Sequence, residues 1–303
     1  MRYLVYESDI NGGSMAKNEK LKTLVDNLNV FRSRSSISNE QIDITLSHIA
    51  SMLCDTHKDA SPEEIDAHYK RLVSDVYGAQ KIILYKEMIK HPALLDKMKA
   101  VFSIGNDVTA AGSHGKISYV KNDLNNVAFE LLTQKTNNVK PVWETSFVQA
   151  CESVSDNKSE FCILPIESSS DGKLLGFYSM IERYELKIVS VCEVDDLQGE
   201  TAKYALISKS CPASTDLLAK GDLNFEFSLL SQDCEFMSEI ISAAKVCEAK
   251  LQTVCFAPVK YDSNLQRYIL SFSIPSRELL PFKAFLALTY HSYTPIGCYK
   301  DNK

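Results

Sequence analysis

The sequence predicts a multidomain chain of α+β and α/β type, with an N-terminal helical region, a single α/β lobe and a C-terminal ferredoxin-like block. Three observations carry this expectation. One-sided apolar stripes at helical spacing fill residues 16–104, strands alternate with helices across 117–210, and a βαββαβ order occupies 222–303. The 303 residues suffice for two or three compact units, because single cores stop growing near about 250–300 residues.

Residues 1–15, which end in Asn-Gly-Gly-Ser-Met, read as a junction or a disordered lead-in, and the functional argument begins at residue 16. Ser38-Asn39-Glu40-Gln41 is a capping box, followed by Ile42, Leu46, Ile49 and Leu53 on one helical face. Ser61-Pro62-Glu63-Glu64 is a second, with proline at the first helical position and Ile65, Tyr69, Leu72 and Val76 behind it. A third stripe, Ile82, Tyr85 and Met88 or Ile89, runs into His91-Pro92, where it must stop. Helices with one apolar face are expected to pack on each other or on a protein partner. The Gly-rich stretch 105–116 reads as a linker, and no Gly-Lys-Ser or Gly-Lys-Thr follows it to make a phosphate loop.

Beyond the linker the pattern becomes strand "ISYV", helix "LNNVAFELLTQ", a strand around Val139–Trp143, helix "SFVQACESV", strand "FCILPI", helix "LLGFYSMIERY", then strands "KIVSVCEV" and "KYALIS". Such alternation predicts helices packed on a largely parallel sheet. The last block reads strand "NFEFSLL", helix 235–247, strands "LQTVCFAPV" and "RYILSFSI" joined by a polar turn, helix "RELLPFKAFLAL" and strand "TPIGCYK". That order predicts a four-stranded antiparallel sheet with both helices on one face, leaving the other face or an edge to recruit a second copy.

Composition excludes several classes of function. A net charge of -6 argues against nucleic acid and anionic membranes, which select basic surfaces. No run approaches the roughly 20 apolar residues of a membrane span, and the start lacks the basic-then-apolar pattern of a secretory signal. Nine cysteines, odd in number and without Cys-x-x-Cys spacing, read as reduced thiols, several of them in apolar runs, which points to the cytoplasm. Six histidines form no ligand pair, so neither a metal site nor a cofactor is expected.

The segment with the most chemistry is Leu164-Pro165-Ile166-Glu167-Ser168-Ser169-Ser170-Asp171-Gly172, at the end of an apolar strand. Ligands of open α/β sheets sit beyond strand carboxyl ends, and hydroxyls beside free backbone N–H groups suit a carboxylate. The same composition also suits an ordinary turn cap.

This segment resembles the Pro-Ile-Glu-Asn-Ser-x-x-Gly motif of prephenate dehydratases. The flanking "ETSFVQACESVSDNKSEFCI" and "LLGFYSMIERYELKIVSVCEV" are similar to the elements around that motif, and "PIGCYK" looks like the closing Gly-x-Tyr-Pro of the family's regulatory ACT domain. The resemblance covers about 117–208 and 224–299. It implies half of a periplasmic-binding-protein-like catalytic domain followed by an ACT domain, and a place in phenylalanine biosynthesis. Glu167, Ser168, Ser169 and Gly172 would bind substrate, a prephenate-like ligand. The family's Thr-Arg-Phe falls on Ala202-Lys203-Tyr204, so catalysis would rest on Thr201 and Lys203. Its effector-binding Gly-Ala-Leu falls on Cys234-Glu235-Phe236, where an amino acid would bind.

Departures from the pattern set the functional expectation. Lys203 lacks the bidentate fork of arginine, and only "VDDLQGET" separates Glu193 from Ala202, where the family inserts a complete second lobe. Without that opposing wall the orientation of two carboxylates is lost. The chain is therefore expected to be a catalytically inactive relative acting as a binding, regulatory or scaffold protein through homo-oligomers. The alternatives are an active dehydratase forming phenylpyruvate, and an amino-acid sensor. Arg32, Arg34, Lys70, Arg71 and Lys86 do not reproduce a chorismate mutase and read as a charged helix face.

Overall fold

The computed structural model describes residues 19–27, 39–56, 78–89, 115–134, 138–195, 199–210, 221–259 and 262–302. The expected junction at 1–15, the capping box at Ser61 with its helix, the stop at His91-Pro92, four of the five cations compared with a chorismate mutase (Arg32, Arg34, Lys70 and Arg71) and most of the linker lie outside these residues. Contacts divide the chain into two units. One comprises Met1–Ile104 with Met237–Cys247 and Leu280–His291, the other Gly105–Phe236 with Glu248–Leu279 and Ser292–Lys303.

In the first unit, helix α1 covers 19–27, α2 is Asn39–Thr56 and α3 is Gly78–Ile89. The sequence stripes become the buried faces: Leu46, Ile49 and Ala50 of α2, and Ile82, Leu84 and Tyr85 of α3. These two helices pack on each other. The segment Met237–Cys247 belongs with them through polar contacts. Lys81 Nζ lies 3.5 Å from Glu239 Oε1, and Lys86 Nζ donates to the Val246 carbonyl at 3.0 Å. Tyr290 donates to Glu239 Oε2 at 2.9 Å. Burial, with the Glu239 carboxylate adding, pushes the Tyr85 phenol well above the usual tyrosine range.

The second unit is built on one sheet. Its chain order is β1 (Lys116–Val120), α4 (Asp123–Thr133), β2 (Lys140–Glu144), α5 (Phe147–Ser155), β3 (Phe161–Ser168), β4 (Gly172–Lys173), α6 (Leu175–Arg183), β5 (Lys187–Asp195) and β6 (Thr201–Ser208). There follow β7 (Asp222–Ser231), β8 (Lys250–Val259), β9 (Asp262–Pro275), β10 (Thr294–Tyr299) and β11 (Asp301–Asn302). Helices α7 (Phe236–Val246) and α8 (Leu279–Thr289) follow β7 and β9 in sequence, completing the expected βαββαβ order.

Local chemistry fixes the helix starts. Asn122 caps α4 by accepting from Asn125 N at 2.7 Å, and Ser146 caps α5 by accepting from Gln149 N at 3.2 Å. The helices cover both faces of the first half of the sheet. On one, Ala128 and Leu132 of α4 pack with Tyr119, Ile163 and Tyr204. On the other, Ala150 and Val154 of α5 and Tyr178 and Ile181 of α6 pack with Leu164, Ala205 and Ile207.

The sheet runs β2-β1-β3-β6-β5-β10-β7-β9-β8. Within the lobe β2, β1 and β3 are parallel, whereas β6 runs antiparallel to both β3 and β5, so the largely parallel sheet expected there is mixed. The reason is the connection. Residues 196–200 join β5 to β6 with Asp195 opposite Thr201, and so short a link allows a hairpin but no crossover helix. In the last block β10, β7, β9 and β8 are all antiparallel, in the order 4-1-3-2.

Unexpectedly, the two halves share this sheet. β10 lies parallel to β5 with Gly297 opposite Ile188, and β11 extends the pairing at Asp301 and Val191. Thus β10 is not an open edge; β8 is the outer strand on this side. The contact depends on a missing side chain. A Cβ on Gly297 would stand 2.6 Å from Ile188 Cβ and 2.8 Å from its carbonyl oxygen. Gly297→Ala is expected to lower unfolding free energy by about 1–3 kcal/mol, read as an earlier urea midpoint at unchanged slope. Gly176→Ala, on α6 with open space around it, serves as the control and should be neutral or slightly stabilising.

Candidate functional site

The serine-rich segment is a tight hairpin. β3 pairs antiparallel with β4, Glu167 opposite Lys173 and Ser168 opposite Gly172, so the chain reverses over Ser169, Ser170 and Asp171. Gly172 has φ of 68°, the left-handed conformation that glycine adopts without a Cβ penalty. Ser168 Oγ accepts from Asp171 N at 3.0 Å, closing the turn. Ser169 is tied to the neighbouring strand: its N donates to the Thr201 carbonyl at 2.8 Å, and its Oγ accepts from Thr201 N at 3.1 Å. Thr201 Oγ1 in turn donates to Asp195 Oδ1 at 2.9 Å across the β5–β6 hairpin. These hydroxyls hold the turn and the strand ends together.

Glu167 and Lys203 face each other on adjacent strands as an ion pair of 3.1 Å, with 29% and 38% of their side-chain surfaces exposed. The register that brings them together keeps Thr201 on the same strand face as Lys203 and turns Ala202 to the other. Five of the expected site residues with Lys203 therefore do converge: Glu167, Ser168, Ser169, Gly172 and Thr201. The expected effector residues stand elsewhere, at the turn from β7 into α7. There Cys234 is exposed, Glu235 N donates to Asp233 Oδ1 at 3.0 Å, and the Phe236 ring meets Tyr268 edge-on at 5.0 Å.

The strongest electrostatic feature was not foreseen. Lys173, the residue after the turn glycine, points inward and donates to Glu226 Oε1 of β7 at 2.6 Å, the two side chains being 5% and 2% exposed. Tyr178 of α6 donates to Glu226 Oε2 at 2.8 Å, Tyr299 of β10 donates to Oε1 at 2.9 Å, and Lys173 also donates to the Tyr178 oxygen at 2.8 Å. Burial, with Glu226 next in importance, pushes the Tyr178 phenol well above its usual value, so it stays a donor. One sequence signal was available. Glu226 sits in "NFEFSLL" between two phenylalanines, a charge at the centre of an otherwise apolar strand.

Both ammonium groups beside the motif thus face carboxylates supplied by the chain itself. Such an arrangement neutralises charge internally and stiffens the end of β3.

Among solved structures, the prephenate dehydratase of Streptococcus mutans is similar to this chain with a TM-score of 0.51, at 15% identity, over 62% of this chain and 100% of that one. The fold is prephenate-dehydratase-like. Two further structures overlap less well. The quorum-quenching acylase GqqA matches at 14% identity and TM-score 0.48 (61% and 94% covered). The prephenate dehydratase of Arthrobacter aurescens in complex with L-Phe matches at 11% and 0.47 (61% and 89%). No family model matches the sequence, and no curated protein sequence matches it. The prephenate-dehydratase-like fold expected from Glu167–Gly172 and its flanks is therefore present.

Breaking the buried pair separates its weight from that of the exposed one. Lys173→Met strands the Glu226 charge and is expected to cost about 3–5 kcal/mol, whereas Lys203→Met should cost under about 1 kcal/mol. Chemical denaturation of both variants, with the Lys173→Met/Glu226→Leu double variant recovering most of the loss, checks this.

The raised Tyr178 value also has a signed consequence. Its stabilising contribution is complete below pH of about 10, the ordinary tyrosine value, and is lost as pH rises from there through the higher folded-state value. Tyr178→Phe should flatten the alkaline decline by up to about 1.4 kcal/mol per pH unit, measured as unfolding free energy between pH 9 and 11.5.

Proposed function

We propose that the protein is a catalytically inactive relative of prephenate dehydratase that works as a binding or scaffold protein through self-association. The observation that carries this reading is the β5–β6 hairpin, in which Asp195 stands opposite Thr201 at the point where the dehydratase family inserts its second lobe. Ground for catalysis is further reduced by the pairing of Lys203 with Glu167 and of Lys173 with Glu226, because a dicarboxylate needs cations not already held by the protein's own anions. Positioning supplies up to roughly 7–11 kcal/mol of an enzyme's advantage, and one wall supplies little of it.

In this reading residues 117–210 are the dehydratase-like lobe and 222–303 an ACT domain whose effector pocket is degenerate. The 4-1-3-2 strand order supports the second assignment. Cys234 and Glu235, standing where the family has Gly and Ala, support the loss of the pocket, since glycine is used where a ligand must approach the main chain closely. Free cysteines, four of them buried, support a reducing compartment such as the cytoplasm.

Self-association is assigned to β8. This outer strand carries Leu251, Val254 and Phe256, and a register shift between Leu251 and Thr253 keeps all three opposite Phe272, Leu270 and Tyr268, on one sheet face. They are 39%, 39% and 61% exposed. An outer strand with apolar side chains is a template for pairing with another chain, here a second copy. Light scattering after size exclusion should give a dimer or larger at micromolar concentration, and Phe256→Asp should shift it to monomer with its melting behaviour nearly intact. A monomer in both cases removes the scaffold reading.

The enzymatic question is decided by following phenylpyruvate formation from prephenate. No turnover above the spontaneous rate is expected. Turnover that disappears in Thr201→Ala and Lys203→Ala would instead establish an active dehydratase.

A further inference from the structure

A cleft of about 310 Å³ opens between α6 and the sheet. The lobe supplies one wall, through α6 and the turn after it, and the βαββαβ block supplies the other, through β7, β9 and β10. Its apolar surface includes Leu175 and Ile181 on the first side and Ile269 and Ile296 on the second. In volume it falls at the lower end of small-molecule sites, which run from about 300 to 1,000 Å³ and combine apolar walls with a few fixed polar groups.

The charges around this cleft are matched within the chain. Its lining contains two acids, Glu182 and Glu185, and two bases, Lys187 and Arg267. Arg267 pairs with Glu182 at 2.5 Å, and its Nε is shut off from solvent, so that edge of the guanidinium is not on offer. Lys187 donates to the Pro295 carbonyl at 2.6 Å. A charged ligand would lose its water here without gaining a counter-charge in exchange. The lining suits an uncharged one.

Two hydroxyls, in contrast, are open. Ser228 of β7 and Thr294 of β10 stand directly opposite each other in the antiparallel ladder, and both line the cleft. Opposed residues have Cβ atoms about 4.5–5.5 Å apart, so one small head group can meet both side chains. Ile269 of β9 pairs with Ser228 from the other side and continues the row with an apolar surface. Ser228 is 5% exposed, yet neither hydroxyl has a hydrogen-bond partner among the described residues. Nor is the Ser228 Oγ among the unpaired polar atoms that the fold shuts off completely. A hydroxyl both donates and accepts, so whatever displaces water from this pair must do both as well.

We propose that this cleft binds a small uncharged carboxamide, with its head on the Ser228 and Thr294 hydroxyls and its hydrocarbon body on Ile269, Ile296 and Leu175. An amide carries an acceptor oxygen and donor N–H groups on neighbouring atoms, so it serves both hydroxyls at once. The bound molecule touches the lobe and the βαββαβ block together. The site needs neither catalysis nor self-association, so its failure would leave the scaffold reading standing, and the reverse.

Isothermal titration of the whole chain with isovaleramide and hexanamide tests the assignment. Each is measured beside its carboxylate and beside the methyl ketone of the same shape, which keeps the oxygen and lacks the N–H groups. At least one amide is expected to bind saturably, about tenfold tighter than its carboxylate and about fivefold tighter than its ketone. Ser228→Ala/Thr294→Val removes both hydroxyls at little change in volume, and should bring the amide down to the affinity of the ketone. Ser179→Trp places a bulky side chain on an exposed α6 position lining the cleft, and should abolish binding without unfolding the chain. Saturable binding of neither amide, a carboxylate or ketone as tight as its amide, or an amide affinity unchanged in either variant overturns the proposal.

Discussion

Glu226 is charged, 2% exposed and at the centre of β7, and the second unit is arranged around what that carboxylate requires. An isolated anion there would cost several kcal/mol, so its oxygens must be met by donors from every direction. They come from three separate elements: Lys173 after the hairpin, Tyr178 in α6 and Tyr299 in β10. Each donor fixes the position of its own element. The lobe and the βαββαβ block are thereby held in register by hydrogen-bond geometry as well as by the apolar core in which Tyr178, Ile181, Ile269 and Ile296 meet.

The continuous sheet adds to this. β10 pairs directly with β7, which brings Tyr299 to Glu226, and lies along β5 on its other side. The backbones approach so tightly at Gly297 and Ile188 that no Cβ fits between them. A strand that spends its edge on an internal partner cannot offer it to another chain. The exposed apolar side chains include Leu251, Val254 and Phe256 of β8 and Trp143 of β2, the two outer strands.

Legibility from sequence followed the range of the physical signal. Helix and strand order came through almost intact because hydrophobic periodicity is local, as in "LNNVAFELLTQ" and "SFVQACESV". The short span between Glu193 and Ala202 correctly foretold a hairpin, since loop length limits topology. Glu167, Lys203, Ser169 and Thr201 were legible as neighbours only through the family resemblance. Spacing alone does not bring residue 167 beside residue 203. Lys173 was missed because it looks ordinary in its own segment, and Glu226, although a charge between two phenylalanines, shows its partner only once two elements far apart in sequence are packed. The β5–β10 contact was invisible for the same reason, and Gly297 gave no more warning than any glycine in a strand.

The polarity of the crossing after β3 can now be understood without a ligand. A buried strand that must reverse at once needs a left-handed residue, supplied by Gly172, and an acceptor for a turn N–H, supplied by Ser168, while Ser169 ties the turn to Thr201 of β6. What the reversal achieves is the inward delivery of an ammonium group one residue later. A longer loop would leave Lys173 free to point into water, where its charge is better solvated, and Glu226 would lose its principal partner. Tightness of the hairpin and burial of the ion pair are thus one design, in which the serines act on backbone and the lysine on the core. A segment that resembles a substrate-binding motif can keep its composition under this purely internal requirement.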